Sequence, residues 1–382
     1  MNKNLTSDQL KQLLRTVFSP TANDRVLFIL VDVSNERVLD NPGWQERRLL
    51  AEDWKIKLQM IKHELHLEEV DLLYYENTGS NNADFPASAY SWSGNPAKVS
   101  AAILRASGAE WDFSNRLSEA DIVLALTQFS ATAPLKILAK KYQFSAVTMP
   151  GFSRQMLPAL SLDYEQVHAQ VMKIKTRLDE AMCLEMQFQV QGKTFQLFVD
   201  VRHRLGHASS GLLRERGLAG NLPSGESYIV PYEGELTEAS QTRGVLPVQF
   251  GYEVVFYEIQ NNRAVAVKSQ GKVSEKERQK LQAEPAYGNL AEIGFGVLQP
   301  FGIKPMGEIL LDEKLGLHIA FGRSDHFGGA TSPEDFNKPE NVVHIDRIYL
   351  PEIQGQVMVK EVVFVYPEKR KEVIMRDGQY VF

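Results

Sequence analysis

Residues 26–31, Val-Leu-Phe-Ile-Leu-Val, are a short, unbroken apolar run rich in branched side chains, and they constrain the fold more than any other segment. A run without a polar face predicts a strand covered on both sides, as in parallel sheets layered with helices. After it, Pro42 opens a segment carrying Leu50, Trp54, Leu58 and Ile61 at steps of four, four and three, the spacing of a helix with one apolar stripe. Residues 70–75 and 121–126 read as further strands, and 134–142 as a helix. This strand and helix alternation predicts an α/β domain with a mainly parallel sheet.

The texture then changes. Asp163, with Gln166 three residues on, starts a helix whose stripe of Val167, Val171, Ile174 and Leu178 runs to about Cys183, and this helix is read as the bridge between domains. Beyond it Met186, Phe188 and Val190 alternate with polar residues, Gln191-Gly192 turns, and Phe195, Leu197 and Val199 continue the alternation, so a hairpin is expected. Strands are also expected at 253–259, 264–267, 342–349 and 357–366, making the second half mostly antiparallel β. A chain of 382 residues exceeds what one core usually serves. The reading is an α/β domain with its linker helix over 1–180 and a mostly β domain over 181–382.

Charge and cysteine content narrow the function. The net charge is −6 with acids and bases interspersed, so the broad positive field that draws proteins to nucleic acid is missing. Its one basic cluster, Lys369-Arg370-Lys371, lies beside acids and reads as a solvated hairpin. Cys183 is the single cysteine, which excludes an internal disulfide and a thiolate zinc knuckle and fits a reducing cytoplasm. Residues 1–14 lack the apolar stretch of a secretory signal, and no run reaches membrane length, so no membrane association is expected. Asp32-Val33-Ser34-Asn35-Glu36, rather than glycines, follows the first strand, which disfavours a nucleotide role.

Five of the eight histidines fall in the second half, and His344-Ile345-Asp346 sits in a predicted strand, where residues two apart share a face. Imidazole and carboxylate then point the same way, as metal ligands or as a hydrogen-bonded pair at a strand end. Glu226, in Asn221-Leu222-Pro223-Ser224-Gly225-Glu226, and Glu292, in Ala291-Glu292-Ile293-Gly294-Phe295-Gly296, lack nearby partners in apolar or glycine-rich surroundings. They read as functional acids, or as a turn residue and an element terminus. His318, in an apolar strand, reads alone as a core histidine. His203 and His207 are four apart, but Gly206 between them argues for a loop with a structural or substrate-contact role.

Taken together, Glu226, Glu292, His318 and His344-Ile345-Asp346 stand in an order that resembles the aminopeptidase T and aminopeptidase S metallopeptidases. The segment 221–226 is similar to their N-[LM]-P-[SD]-G-E, 292–296 to E-[LI]-G-[IF]-G, 318–322 to H-[LI]-A-[LF]-G, and Gly328-Gly329 and 344–346 to the closing G-G and H-x-D. The resemblance is specific over 185–382; over 1–180 only the α/β texture agrees. It implies that Glu226, Glu292, His318, His344 and Asp346 hold two divalent metal ions, zinc, cobalt or manganese, in a cytoplasmic aminopeptidase acting on small peptides as a homodimer. Three carboxylates and mixed N/O ligation suit such ions, which can share and activate a water. One departure concerns the family's tyrosine seven residues after the first histidine: here Asp325 stands at that position, followed by His326. Asp325 or His326 is then the implied catalytic proton carrier, or both belong to a loop ordering Gly328-Gly329.

Two other readings compete. The 2,5-dihydroxypyridine ring-cleaving dioxygenases have similar architecture, use one ferrous ion on two histidines and a carboxylate, and share a stretch like Gly294-Phe295-Gly296-Val297-Leu298-Gln299-Pro300. In that group a histidine takes the place of Glu292 and no acid that of Glu226, so two glutamates favour the hydrolase. A non-catalytic relative is the third reading; against it stands the cost of burying like charges without a cation.

Overall fold

The structure, a computed structural model, describes residues 4–382; the first three residues of the stretch read above for a signal lie outside it. The chain forms two compact units, one running to His168 and taking in Ser209–Ser224, the other made of Ala169–Ala208 and Gly225–Phe382. Helix Tyr164–Glu180 therefore begins in the first unit and ends in the second, and the chain returns once to the first, an excursion that a single cut at 180 does not describe.

The first unit holds a seven-stranded sheet in the order Ala219–Asn221, Ser145–Thr148, Ile122–Ala125, Val26–Val33, Glu69–Glu76, Ser88–Ser91, Ala109–Asp112. Six of its strands run the same way and Ser88–Ser91 alone runs against them, pairing antiparallel with both neighbours, so the α/β expectation holds. Val26–Val33 is the central strand, and Leu27 to Val31 are fully buried, as a run without a polar face requires. The crossover helix Pro42–Ile61 starts where the Asn41 side chain accepts the Trp44 N–H at 2.9 Å, and it buries Leu50, Trp54, Leu58 and Ile61. Asp32 is the last residue but one of the central strand. Its buried carboxylate accepts the N–H groups of Gln128 (2.8 Å) and Phe129 (3.1 Å) and the Trp44 indole (2.8 Å), so this acid fixes a loop where nucleotide folds cradle phosphate.

The second unit contains an antiparallel eight-stranded sheet and a five-stranded one. In the larger, Cys183–Val190 and Lys193–Asp200 form the expected hairpin, with Leu184, Met186, Phe188 and Val190 buried and both turn residues, Gln191 and Gly192, at positive φ. Cys183 is half-buried and opens this strand, instead of ending the helix, which stops at Glu180. Strand Arg243–Phe250 escaped the sequence reading because it contains Pro247. Only Arg243 and Gly244 pair with Lys193–Asp200, so the proline lies where that edge carries no ladder.

The smaller sheet runs His344–Ile348, Leu317–Gly322, Leu290–Gly296, Glu226–Ile229, with His207–Ser209 at its end. Ile293, Phe295, Leu317, Ile319 and Phe321 are fully buried, with Phe295 packed on Phe364 and Phe321 on Tyr257 of the larger sheet. That leaves the opposite face for chemistry. No helix among the described residues is long and apolar enough to cross a membrane.

Candidate metal centre

Period two decides what the free face carries. On the Leu290–Gly296 strand it presents Glu292, Gly294 and Gly296; on Leu317–Gly322 it presents His318, Ala320 and Gly322; on His344–Ile348, His344 and Asp346; and on Glu226–Ile229, Glu226 and Tyr228. The register aligns Glu292, Ala320 and Asp346 in one row and Tyr228, Gly294 and His318 in the next. All five ligand residues read from the sequence therefore meet on one face.

The small residues make room. A Cβ on Gly294 would stand 1.9 Å from His318 Nε2, so the imidazole lies directly over the glycine. His318 Nε2 is 3.4 Å from Glu292 Oε1 and 3.5 Å from Glu226 Oε2, while His344 Nε2 is 3.3 Å from Glu292 Oε2 and 3.8 Å from Asp346 Oδ1. Glu292 thus gives one oxygen to each histidine, joining a Glu226, Glu292, His318 triad to a Glu292, His344, Asp346 triad, each with its donor atoms within 4.8 Å. The other ring nitrogens face backbone carbonyls, His344 Nδ1 at 2.8 Å from Arg323 O and His318 Nδ1 at 3.3 Å from Gly316 O. A proton on each Nδ1 leaves Nε2 as the donor toward the cluster.

Burial makes these charges expensive. Glu226, Glu292 and His318 are all buried, and Glu226 Oε2 has no hydrogen-bond partner. Burial opposes the charge on Glu292, but hydrogen bonds from His318 and His344 outweigh it and hold the carboxyl well below the usual range. Burial likewise opposes charge on the imidazoles, yet Glu292 with the other carboxylates raises His318 to about 10 and His344 to about 9. An orphaned carboxylate oxygen and two imidazoles pressed toward the charged form are what a surplus of negative charge produces, and an N/O donor set of this kind fits divalent ions.

Two residues of the centre went unread in the sequence. Lys314 is 1% exposed and pairs with Glu226 Oε1 and Glu313 Oε1; burial pushes the Glu313 carboxyl up to about 8. No local signal marks it, since Lys314 stands in the charged trio Asp312-Glu313-Lys314. Tyr228, two residues after Glu226 on the same face, stacks on His207 at 4.8 Å and packs on Phe327 at 4.9 Å.

The proposed proton carriers separate. Asp325 is held by Arg323 Nε at 2.5 Å, and that pairing lowers its pKa against the effect of burial. His326 packs edge-on against His344 with ring centres 5.2 Å apart; burial, then the charges of His344 and Arg323, bring it down to about 4. His203 packs against Tyr232 and joins neither triad, and His207 lies on a short strand where a loop was expected.

No protein-family model and no curated protein matches the sequence. Solved structures share the fold at low identity. 2,5-dihydroxypyridine dioxygenase from Pseudomonas putida KT2440 aligns with a TM-score of 0.60 and 13% identity over 99% of this chain and 98% of its own. AmpT from Thermus thermophilus aligns with a TM-score of 0.56 and 14% identity over 98% of both chains. At these identities both likenesses show the fold alone.

Proposed function

We propose that this protein is a metal-dependent aminopeptidase that removes amino-terminal residues from small peptides, with two divalent ions, zinc, cobalt or manganese, held by Glu226, Glu292, His318, His344 and Asp346. One observation carries the reading: the buried Glu292 turns one oxygen to each histidine, and each histidine has a second carboxylate at its side. Two divalent ions held by these residues would supply an activated water and Lewis-acid polarisation of a carbonyl. The residues themselves fix the donors: Gly294 lets His318 lie flat on the sheet, and Arg323 O orients His344. With Asp325 engaged by Arg323, His326 is the side chain placed to take up and return a proton beside His344. The reading includes a homodimer in a reducing cytoplasm, without nucleic-acid or membrane partners.

A second reading has an observation behind it. The dioxygenase shares the fold over the whole chain, and His318, His344 and one carboxylate suffice for a single ferrous ion. Fold likeness does not separate the two; what favours the hydrolase is that each histidine has its own second carboxylate, Glu226 or Asp346, two overlapping donor sets where a single ferrous ion needs only one. Release of aniline from leucine anilide after zinc, cobalt or manganese addition is the expected result. Oxygen uptake with 2,5-dihydroxypyridine and ferrous iron, without anilide hydrolysis, would replace this reading by the second.

A further inference from the structure

We propose that the two triads are unequal cation sites, the Glu292, His344, Asp346 triad filling first and more tightly, because the Lys314 ammonium already holds one oxygen of Glu226. The inference rests on the two-ion reading above and adds an order to it.

Lys314 is 1% exposed, so its charge is not shared with solvent. It pairs with Glu226 and Glu313 and with no ligand of the other triad. Glu226 therefore turns a single oxygen, Oε2, toward His318 and cannot clasp an ion with both. An ion beside Glu226 also sits next to a fixed positive charge in surroundings that screen poorly. The second triad meets no such neighbour. Arg323 is tied to Asp325, and Arg347 donates to the Tyr287 hydroxyl at 3.2 Å, beside Phe250. Asp346 and His344 thus keep their full attraction for a cation. Among these neighbouring cations Lys314 alone pairs with a carboxylate of the centre; Arg323 and Arg347 pair with none of the five.

The buried ammonium also explains how Glu226 stays ordered: it has a fixed partner whether or not an ion is present, while the ion beside it exchanges more readily. An exchangeable ion next to a permanent one suits a centre in which one position meets the substrate and the other holds the site together.

Zinc titrated into the chelator-stripped full-length protein, followed by native mass spectrometry and calorimetry, tests the order. The wild type is expected to show two events at least tenfold apart in Kd, with His344→Ala abolishing the tighter and His318→Ala the weaker. Lys314→Met is expected to tighten the weaker event at least tenfold and leave the tighter one in place. Should that variant fail to fold, Lys314→Gln serves: its amide can still donate to Glu226 but carries no charge, and the weaker event is expected to tighten while the other does not move. Two events of equal affinity in the wild type, loss of the weaker one in His344→Ala, or no tightening in Lys314→Met would overturn the inference while leaving the two-ion reading intact. A single event, lost in both histidine variants, or no binding at all would overturn the two-ion reading and the order with it.

Discussion

Gly294→Ala tests the geometry of the centre through one methyl group. The added Cβ would stand 1.9 Å from Nε2, 2.1 Å from Cε1 and 2.6 Å from Cδ2 of His318, where ordinary contacts begin near 3.4 Å. The imidazole must retreat by roughly 1.5 Å, and metal ligation tolerates about 0.2 Å. His318 then leaves the place between Glu226 and Glu292, and one ion per chain should be lost while the Glu292, His344, Asp346 triad keeps its own. Overpacking of this kind costs about 1–3 kcal/mol, which in a unit of this size lowers Tm by about 2–4 °C per kcal/mol. Elemental mass spectrometry on dialysed protein reads the first effect and thermal unfolding with chelator the second. The decisive comparison is the double variant with His318→Ala, in which alanine at 294 meets no imidazole and its stability cost should vanish. An unchanged metal content in Gly294→Ala, or an equal stability cost in both backgrounds, would refute the reasoning.

Other outcomes follow from the same geometry. Glu292→Gln, which alters a member of both triads, should reduce binding of both ions and bring turnover below detection, whereas His207→Ala should leave metal content intact; elemental analysis reads both. Because His318 is raised to about 10 and His344 to about 9, both are protonated at pH 8, and ion binding there should release close to two protons, measured by calorimetry in buffers of different ionisation enthalpy. Release should fall first as the pH rises through 9 and again through 10, and a pH-independent heat would show that the imidazoles are neutral beforehand. His326→Ala should lower kcat by about 10²–10⁴-fold with metal content retained; full activity would remove it as proton carrier.

Much of this centre was legible because period two governs the strands. Glu292-Ile-Gly-Phe-Gly and His318-Ile-Ala-Phe-Gly share one plan, a candidate ligand and two small residues on one face with Ile and Phe on the other, and the structure buries those apolar pairs while bringing Glu292 and His318 together. The run 26–31 likewise predicted a strand covered on both faces, and residues 27–31 are fully buried in the strand that stands fourth of seven. What stayed hidden depends on partners remote in sequence. Lys314 finds Glu226 across 88 positions, and nothing local shows that a lysine there is buried. The Arg243–Phe250 strand was masked by Pro247, which is tolerated only because a neighbouring strand stops short. The strand formed by residues 219–221 joins the parallel sheet from 71 residues beyond the end of Thr148, and no pattern of three residues announces that.

The most direct measurement is anomalous diffraction from crystals grown with zinc. Two peaks roughly 3.5–4 Å apart, one between Glu292 and His318 and the other between Glu292 and His344, are the predicted result. One peak only, or peaks that do not share Glu292, would contradict the two-ion centre on which this account rests.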